Sequence, residues 1–245
     1  MATTDDELDQ LLKHLKLGKI LEILERELTK AQKTHVSYRD FLARLLREEY
    51  QHQRERSVEA RIRRAQLPER WALETYPFAR QPAVPAATVR QFAELDFLAQ
   101  GKNLVLIGPT GVGKTGIASA ILLKALQNGH RGLFIKAQDL FDDLYTTVAD
   151  RSSRRLLNRL VKIDCLLIDE MGYLNLRPEQ SNLFFKLMEE RYGAHRPTII
   201  TTNLDYDEWY GFLGKKEMVG VLLDRLRHRC HTLKIEGTSL RDPEP

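Results

Sequence analysis

The stretch Gly108-Pro109-Thr110-Gly111-Val112-Gly113-Lys114-Thr115 restricts the fold of this chain more than any other. It fills every fixed position of the pattern G-x-x-x-x-G-K-[ST]. It also lies where that pattern has a physical meaning, between the apolar run Asn103 to Ile107 and an amphipathic run from Lys114 to Asn128. A strand that ends in a glycine-rich turn and opens into a helix aims several backbone N–H groups and the positive end of the helix dipole at one point. Phosphate is the natural occupant of such a point, and Gly108 to Thr115, with Gly116 behind them, form the expected cradle. Lys114 is expected to reach the β- and γ-phosphates of ATP, and the Thr115 hydroxyl to ligate Mg²⁺.

Around the loop, apolar runs of β type alternate with helical patterns. Asn103 to Ile107, Gly132 to Lys136, Cys165 to Ile168, Thr198 to Thr202 and His231 to Ile235 read as strands. Helices are expected over Lys114 to Asn128, closed by Gly129, and over Pro178 to Tyr192, closed by Gly193. Strands separated by helices imply an α/β fold with a central parallel sheet covered on both faces.

Two further strand ends carry polar groups suited to the same chemistry. Leu166-Leu167-Ile168 delivers Asp169 and Glu170. Asp169 at the tip is placed to hold the magnesium shell, and Glu170 to polarise an attacking water, a division of labour that hydrolysis needs and phosphate transfer to a metabolite does not. Thr198 to Thr202 delivers Asn203, a neutral amide able to hydrogen-bond the γ-phosphate or the water without adding charge. Near the end, the basic stretch Leu222 to His231 offers an arginine that a neighbouring subunit's nucleotide would meet, or else a solvated helix end.

Before the loop the pattern is different. Leu8, Leu11, Leu12, Leu15 and then Leu17, Ile20, Leu21, Leu24, Leu28 recur at helical spacing, with Gly18 as the expected break. Ser37-Tyr38-Arg39-Asp40 has the form of a capping box and opens a further helix that turns almost wholly polar from Gln51 to Arg64. Pro68, Pro77, Pro82 and Pro85 then mark a linker or a loop wrapped over the next domain. The expected division is a helical domain over 1–66, a linker over 67–87 and the nucleotide-binding domain over 88–245. The acidic start and the lack of any run of about 18 apolar residues imply neither export nor membrane insertion, and the two cysteines, in no metal-type spacing, suit a reducing cytoplasm. The seven histidines show no paired ligand spacing, so no zinc is expected.

The strings GPTGVGKT, LLIDEMGYL, TTNLDYDEW and LLDRLRHRCHTLKIEGTSLR together resemble the IstB-like transposition helpers and their relatives, the DnaC-type helicase loaders, in the initiator branch of AAA+ ATPases. The resemblance spans roughly Arg63 to Arg241, and Gly172, Tyr173 and Trp209 belong to it although P-loop proteins at large do not need them. It implies that Arg225, in Asp-Arg-Leu, is an arginine finger and that Arg241 lies near nucleotide or a subunit contact. It also implies a small helical N-terminal domain and no C-terminal lid. Two positions depart from the family pattern: Gly116-Ile117 stands where His-Leu is usual, and Leu240 where Tyr is. What the resemblance implies about function is an ATPase that oligomerises on duplex DNA, deforms it and activates a partner transposase. A replicative helicase loader and a nucleotide-gated scaffold with little turnover are the alternatives.

A net charge of +4 permits an anionic partner without requiring one. The richest candidate for DNA contact is Lys136 through Lys162, with Arg151, Arg154, Arg155 and Arg159 and the hydroxyls of Ser152 and Ser153. Nothing there resembles a major-groove reader, so binding is expected to be salt-sensitive and tolerant of sequence. The opposite reading is an exposed helix whose arginines pair with Asp142, Asp143 and Asp150.

Overall fold

The computed structural model describes residues 4–149, 151–172, 174–214 and 216–240. The chain's internal contacts divide it into residues 1–60 and 61–245.

In the first unit, helices α1 (Thr4–His14) and α2 (Gly18–Thr34) meet the first half of α3 (Tyr38–Arg64). Leu12, Ile20, Ile23, Leu24 and Leu45 are buried together, with Leu17, Leu21 and Phe41 against them. Each such side chain contributes about 1.5–3 kcal/mol by leaving water. The break between α1 and α2 falls at Lys16, in the left-handed region at φ 59°, and Gly18 opens α2 rather than ending α1. Leu17 cannot cap α2. The Glu49 carboxylate of α3 does so instead, accepting from the Lys19 and Ile20 N–H groups at 2.7 and 3.0 Å. At the start of α3 the Asp40 N–H donates to Ser37 Oγ, but the Asp40 carboxylate takes the Ser37 hydroxyl and not its N–H.

The second unit is built on five strands, β1 (Asn103–Ile107), β2 (Gly132–Lys136), β3 (Cys165–Met171), β4 (Thr198–Thr202) and β5 (Cys230–Lys234), all parallel and in the order β2-β3-β4-β1-β5. The three inner strands are almost wholly buried and the two edge strands only in part, which is why the inner ones read as continuous apolar runs. Helices α4 (Ala86–Ala93), α5 (Asp96–Ala99), α6 (Lys114–Gln127), α7 (Ala137–Ala149), α8 (Ser153–Val161), α9 (Pro178–Gly193), α10 (Trp209–Leu213) and α11 (Lys216–His228) complete the unit. One core joins the sheet to α7 through α11, with Phe141, Phe184 and Trp209 fully enclosed.

Several element ends differ from the sequence reading. Strand β3 runs on through Met171, because Asp169 still pairs with Lys136 and Met171 with Thr202, and β5 is shifted by one residue, to Cys230–Lys234. Gly193 lies inside α9, and the left-handed residue that turns the chain towards β4 is His195, at φ 53°. Residues 67–85 hold two single turns of 3₁₀ helix, Leu73–Thr75 and Phe78–Arg80. The end of the described chain returns to the phosphate loop, where the Leu240 N–H donates to the Gly111 carbonyl at 2.9 Å. Among the described residues no helix is long and apolar enough to cross a membrane.

Candidate functional site

Because all five strands are parallel, their C-terminal tips share one edge of the sheet, and the order places β1 beside β4 and β4 beside β3. The phosphate loop, Asp169-Glu170 and Asn203 follow those three adjacent tips. They line one cleft of about 680 Å³ together with Trp71, Tyr76, Lys136 and Thr201, a volume that suits a nucleotide.

The loop owes its shape to glycine. Gly111 and Gly113 stand at φ 87° and 93°, where a side chain would be strained. A Cβ on Gly111 would lie 2.3 Å from Ser239 Oγ, and one on Gly113 would lie 2.2 Å from the Tyr76 hydroxyl. Helix α6 starts at Lys114, whose ammonium donates to the Gly108 and Pro109 carbonyls, each at 2.7 Å. Pro109, Thr110 and Val112 complete the turn, and Gly116 follows in the first turn of α6.

The acid pair sits on a β-bulge. The register between β3 and β4 runs Ile168 with Ile200 and then Met171 with Thr202, so Asp169 and Glu170 together oppose Thr201. Glu170 is at φ 59°, a left-handed conformation for a residue with a side chain, costing on the order of 1–3 kcal/mol. The Thr201 hydroxyl bridges the two: it accepts from the Glu170 N–H at 3.0 Å and donates to Asp169 Oδ1 at 2.5 Å. Thr115 Oγ1 donates to the same carboxylate oxygen at 2.9 Å, joining α6 to β3. Asp169 is only 2% exposed, and burial raises its pKa although the Thr201 and Thr115 hydroxyls draw it down. Glu170 points outward, half exposed, with Lys136 Nζ 3.6 Å from its carboxylate.

Several groups here fit a magnesium-bound triphosphate. A buried carboxylate with two hydroxyls on one oxygen is a donor set for a hard cation, the glycine turn opening α6 has the form that cradles phosphate, and Asn203 Oδ1 is buried with no hydrogen-bond partner. Lys114, Thr115, Asp169, Glu170 and Asn203 are thus together.

Arg225 is not with them. It lies on α11, paired with Glu189 at 2.8 Å in a groove that reaches Asn103, at the end of β1 opposite the phosphate loop. Lys136 lines the nucleotide cleft, whereas Arg151, Arg154, Arg155 and Arg159 are exposed on α8 or just before it, over buried Leu156, Leu157 and Leu160. Arg154 approaches Glu190 at 3.6 Å, Asp142 accepts from Gln138, and the Ser153 hydroxyl is turned to the Thr147 carbonyl, where it satisfies the end of α7. Arg241, Tyr173 and Asp150 lie outside the described residues.

Sequence reading missed Thr201, Trp71 and Tyr76. A second threonine in a β-branched strand carries no signal of its own. The two aromatic residues did have one, since they lie in the proline-rich stretch expected to wrap the next domain.

The family model of the IstB-like ATP binding protein matches residues 10–244. The chain is 36% identical over 235 residues to a protein of Pseudomonas aeruginosa described as the ATP-binding protein of insertion sequence IS21, covering 96% of this chain and 88% of that one. A similar protein of insertion sequence IS5376 from Geobacillus stearothermophilus is 35% identical, covering 85% and 83%. Among solved structures, the DnaC helicase loader superposes with a TM-score of 0.53 at 26% identity, over 61% of this chain and 87% of that one. AMPPCP-bound DnaA from Aquifex aeolicus shares the fold, with a TM-score of 0.58 at 19% identity over 70% of this chain and 51% of that one.

Proposed function

The chain belongs to the IstB-like ATP-binding protein family, and from that premise we propose that it hydrolyses ATP and uses the nucleotide to control its assembly on duplex DNA beside a transposase. The observation that carries the catalytic part is the bridge from Thr115 through Asp169 and Thr201 to Glu170. It locks the magnesium-holding residues and the general base into one rigid unit next to the phosphate loop.

On this reading Lys114 exchanges its two loop carbonyls for the β- and γ-phosphate oxygens. Thr115 and Asp169 would hold Mg²⁺, which would supply charge neutralisation at the phosphates. Glu170 accepts the proton of the attacking water. Its outward rotamer and its fixed backbone set where that water stands. Asn203 spends its unpartnered oxygen on that water, and its amide can face the γ-phosphate. Arg225 sits at the far end of its own sheet, so it can serve only a neighbour's nucleotide, which makes hydrolysis depend on assembly. A row of such subunits sums weak backbone contacts from the α8 arginines into firm DNA binding. The relatives from insertion sequences favour a transposase as the partner that reads this state.

The test is phosphate release and DNA retention by wild type and Glu170→Gln. The variant is expected to bind ATP, to release phosphate at least about 100-fold more slowly and to stay on duplex DNA once ATP is added. Equally slow release by both proteins would make the chain a nucleotide-gated scaffold, and a preference for single-stranded DNA would make it a helicase loader.

A further inference from the structure

The nucleotide cleft has an apolar side that the phosphate chemistry does not use. Pro68, Trp71, Tyr76, Phe134 and Leu240 wall it, and Gly116 forms part of its floor. Gly116 lies in the first turn of α6 with an ordinary helical φ, so its backbone does not call for glycine. A glycine there costs the helix about 1 kcal/mol relative to alanine. What it faces is a pair of rings. A Cβ at Gly116 would sit in ordinary contact with Trp71 Cδ2 at 3.5 Å, Trp71 Cε3 at 3.6 Å and Tyr76 Cε2 at 3.6 Å. A longer side chain pointing the same way would compete with the two rings for that room.

The two rings are held differently. Tyr76 is anchored: its hydroxyl approaches the Val112 carbonyl at 3.4 Å, its ring packs on Phe78 at 4.7 Å, and it is buried. Trp71 lies over Gly116, on the same side as the anchored Tyr76, and remains partly exposed on the cleft. An aromatic face fixed from behind and open in front is the ordinary device for stacking a nucleobase.

We propose that Trp71, seated in the room left by Gly116, is the platform on which the base of a purine nucleotide stacks while its phosphates occupy the loop. This rests on reading the cleft as a nucleotide site and adds what selects the base. Stacking area favours purines over pyrimidines, so selectivity belongs to the strap over 68–76 and not to the loop, whose backbone N–H groups contact phosphate alone.

Tryptophan emission of the full chain reports on this directly, because there are only two tryptophans and Trp209 is 0% exposed. Three magnesium complexes serve as probes: ADP, CDP and inorganic tripolyphosphate. ADP is expected to change the emission in a saturable way, CDP to bind more weakly, and tripolyphosphate to raise the melting temperature with little optical change. Trp71→Ala should abolish the optical response and weaken ADP about 10- to 100-fold, leaving tripolyphosphate within about threefold. Trp71→Phe should recover most of the ADP affinity, and Gly116→Leu should behave like the alanine variant. An undiminished optical response in Trp71→Ala overturns the proposal. So does an equal loss for ADP and tripolyphosphate, which would make the strap a brace for the loop. If neither ADP nor tripolyphosphate binds wild type, the nucleotide reading itself falls.

Discussion

Thr201 has a small side chain that joins two functional residues. Its single hydroxyl satisfies both the buried Asp169 carboxylate and the N–H of a residue held in a left-handed conformation. Valine has the same shape without the hydroxyl, so Thr201→Val takes the acceptor from the Glu170 N–H and leaves Asp169 Oδ1 with the Thr115 hydroxyl alone, at a position only 1% exposed. An unsatisfied buried group costs about 1–3 kcal/mol, and in a chain of this length each kcal/mol moves the melting temperature by roughly 2–4 °C. We expect Thr201→Val to melt about 4–8 °C lower and to lose phosphate release more than ATP affinity, with Thr201→Ser restoring turnover. Unchanged melting and turnover in Thr201→Val would show the bridge to be idle. Lys114, Thr115, Asp169, Glu170 and Asn203 were legible in the sequence because their chemistry is tied to fixed spacing and to strand ends. Thr201 was not, since its role depends on a bulge that places it opposite two residues, and no local pattern announces a change of register.

At the scale of elements, the five strands were visible as apolar runs, but their order was not. That β4 lies between β1 and β3 is what brings Asn203 and Thr201 into the site, and it follows from packing distant in sequence. The opposite end of the same sheet has its own fastening. Asp164, just before β3, takes the Arg131 N–H and guanidinium at the start of β2 and the Arg196 guanidinium before β4, so one carboxylate ties three neighbouring strands. Burial alone would raise its pKa. The hydrogen bonds and charge of Arg131, helped by Arg196, outweigh that and hold it below the usual 3.8. A carboxylate with a depressed pKa stabilises the fold above the unfolded value and loses that contribution as pH falls through the folded one. Asp164→Asn is therefore expected to cost about 1–2 kcal/mol at pH 7, allowing for an exposed Arg131. The gap to wild type should narrow steadily below about pH 4. Urea melts at neutral and acid pH measure it, and a gap independent of pH would mean that the carboxylate's charge contributes nothing.

For the whole molecule, the proposed assembly on DNA has to work with a net charge of only +4. A diffuse excess of that size gives weak attraction, so firm binding needs local positive charge repeated across copies. On the proposed reading helix α8 supplies the local part. Leu156, Leu157 and Leu160 fix one face in the core and leave Arg154, Arg155 and Arg159 facing outward. Among the described residues the one ion pair of these three, Arg154 with Glu190 at 3.6 Å, joins an arginine whose side chain is 70% exposed and contributes little to stability. Removing the three charges should thus spare the fold. For every DNA phosphate that is no longer neutralised, the slope of log affinity against log salt falls by about 0.9. Replacing Arg154, Arg155 and Arg159 with glutamine is expected to flatten that slope by roughly 2–3 per subunit engaged, with phosphate release in the absence of DNA and melting temperature unchanged. A slope equal to wild type would place the DNA on another face and leave the α8 arginines as a solvated surface. A flattened slope with normal turnover would instead show that the DNA face and the nucleotide cleft are separate parts, to be joined through assembly as the proposed role of Arg225 in a neighbour's site would have it.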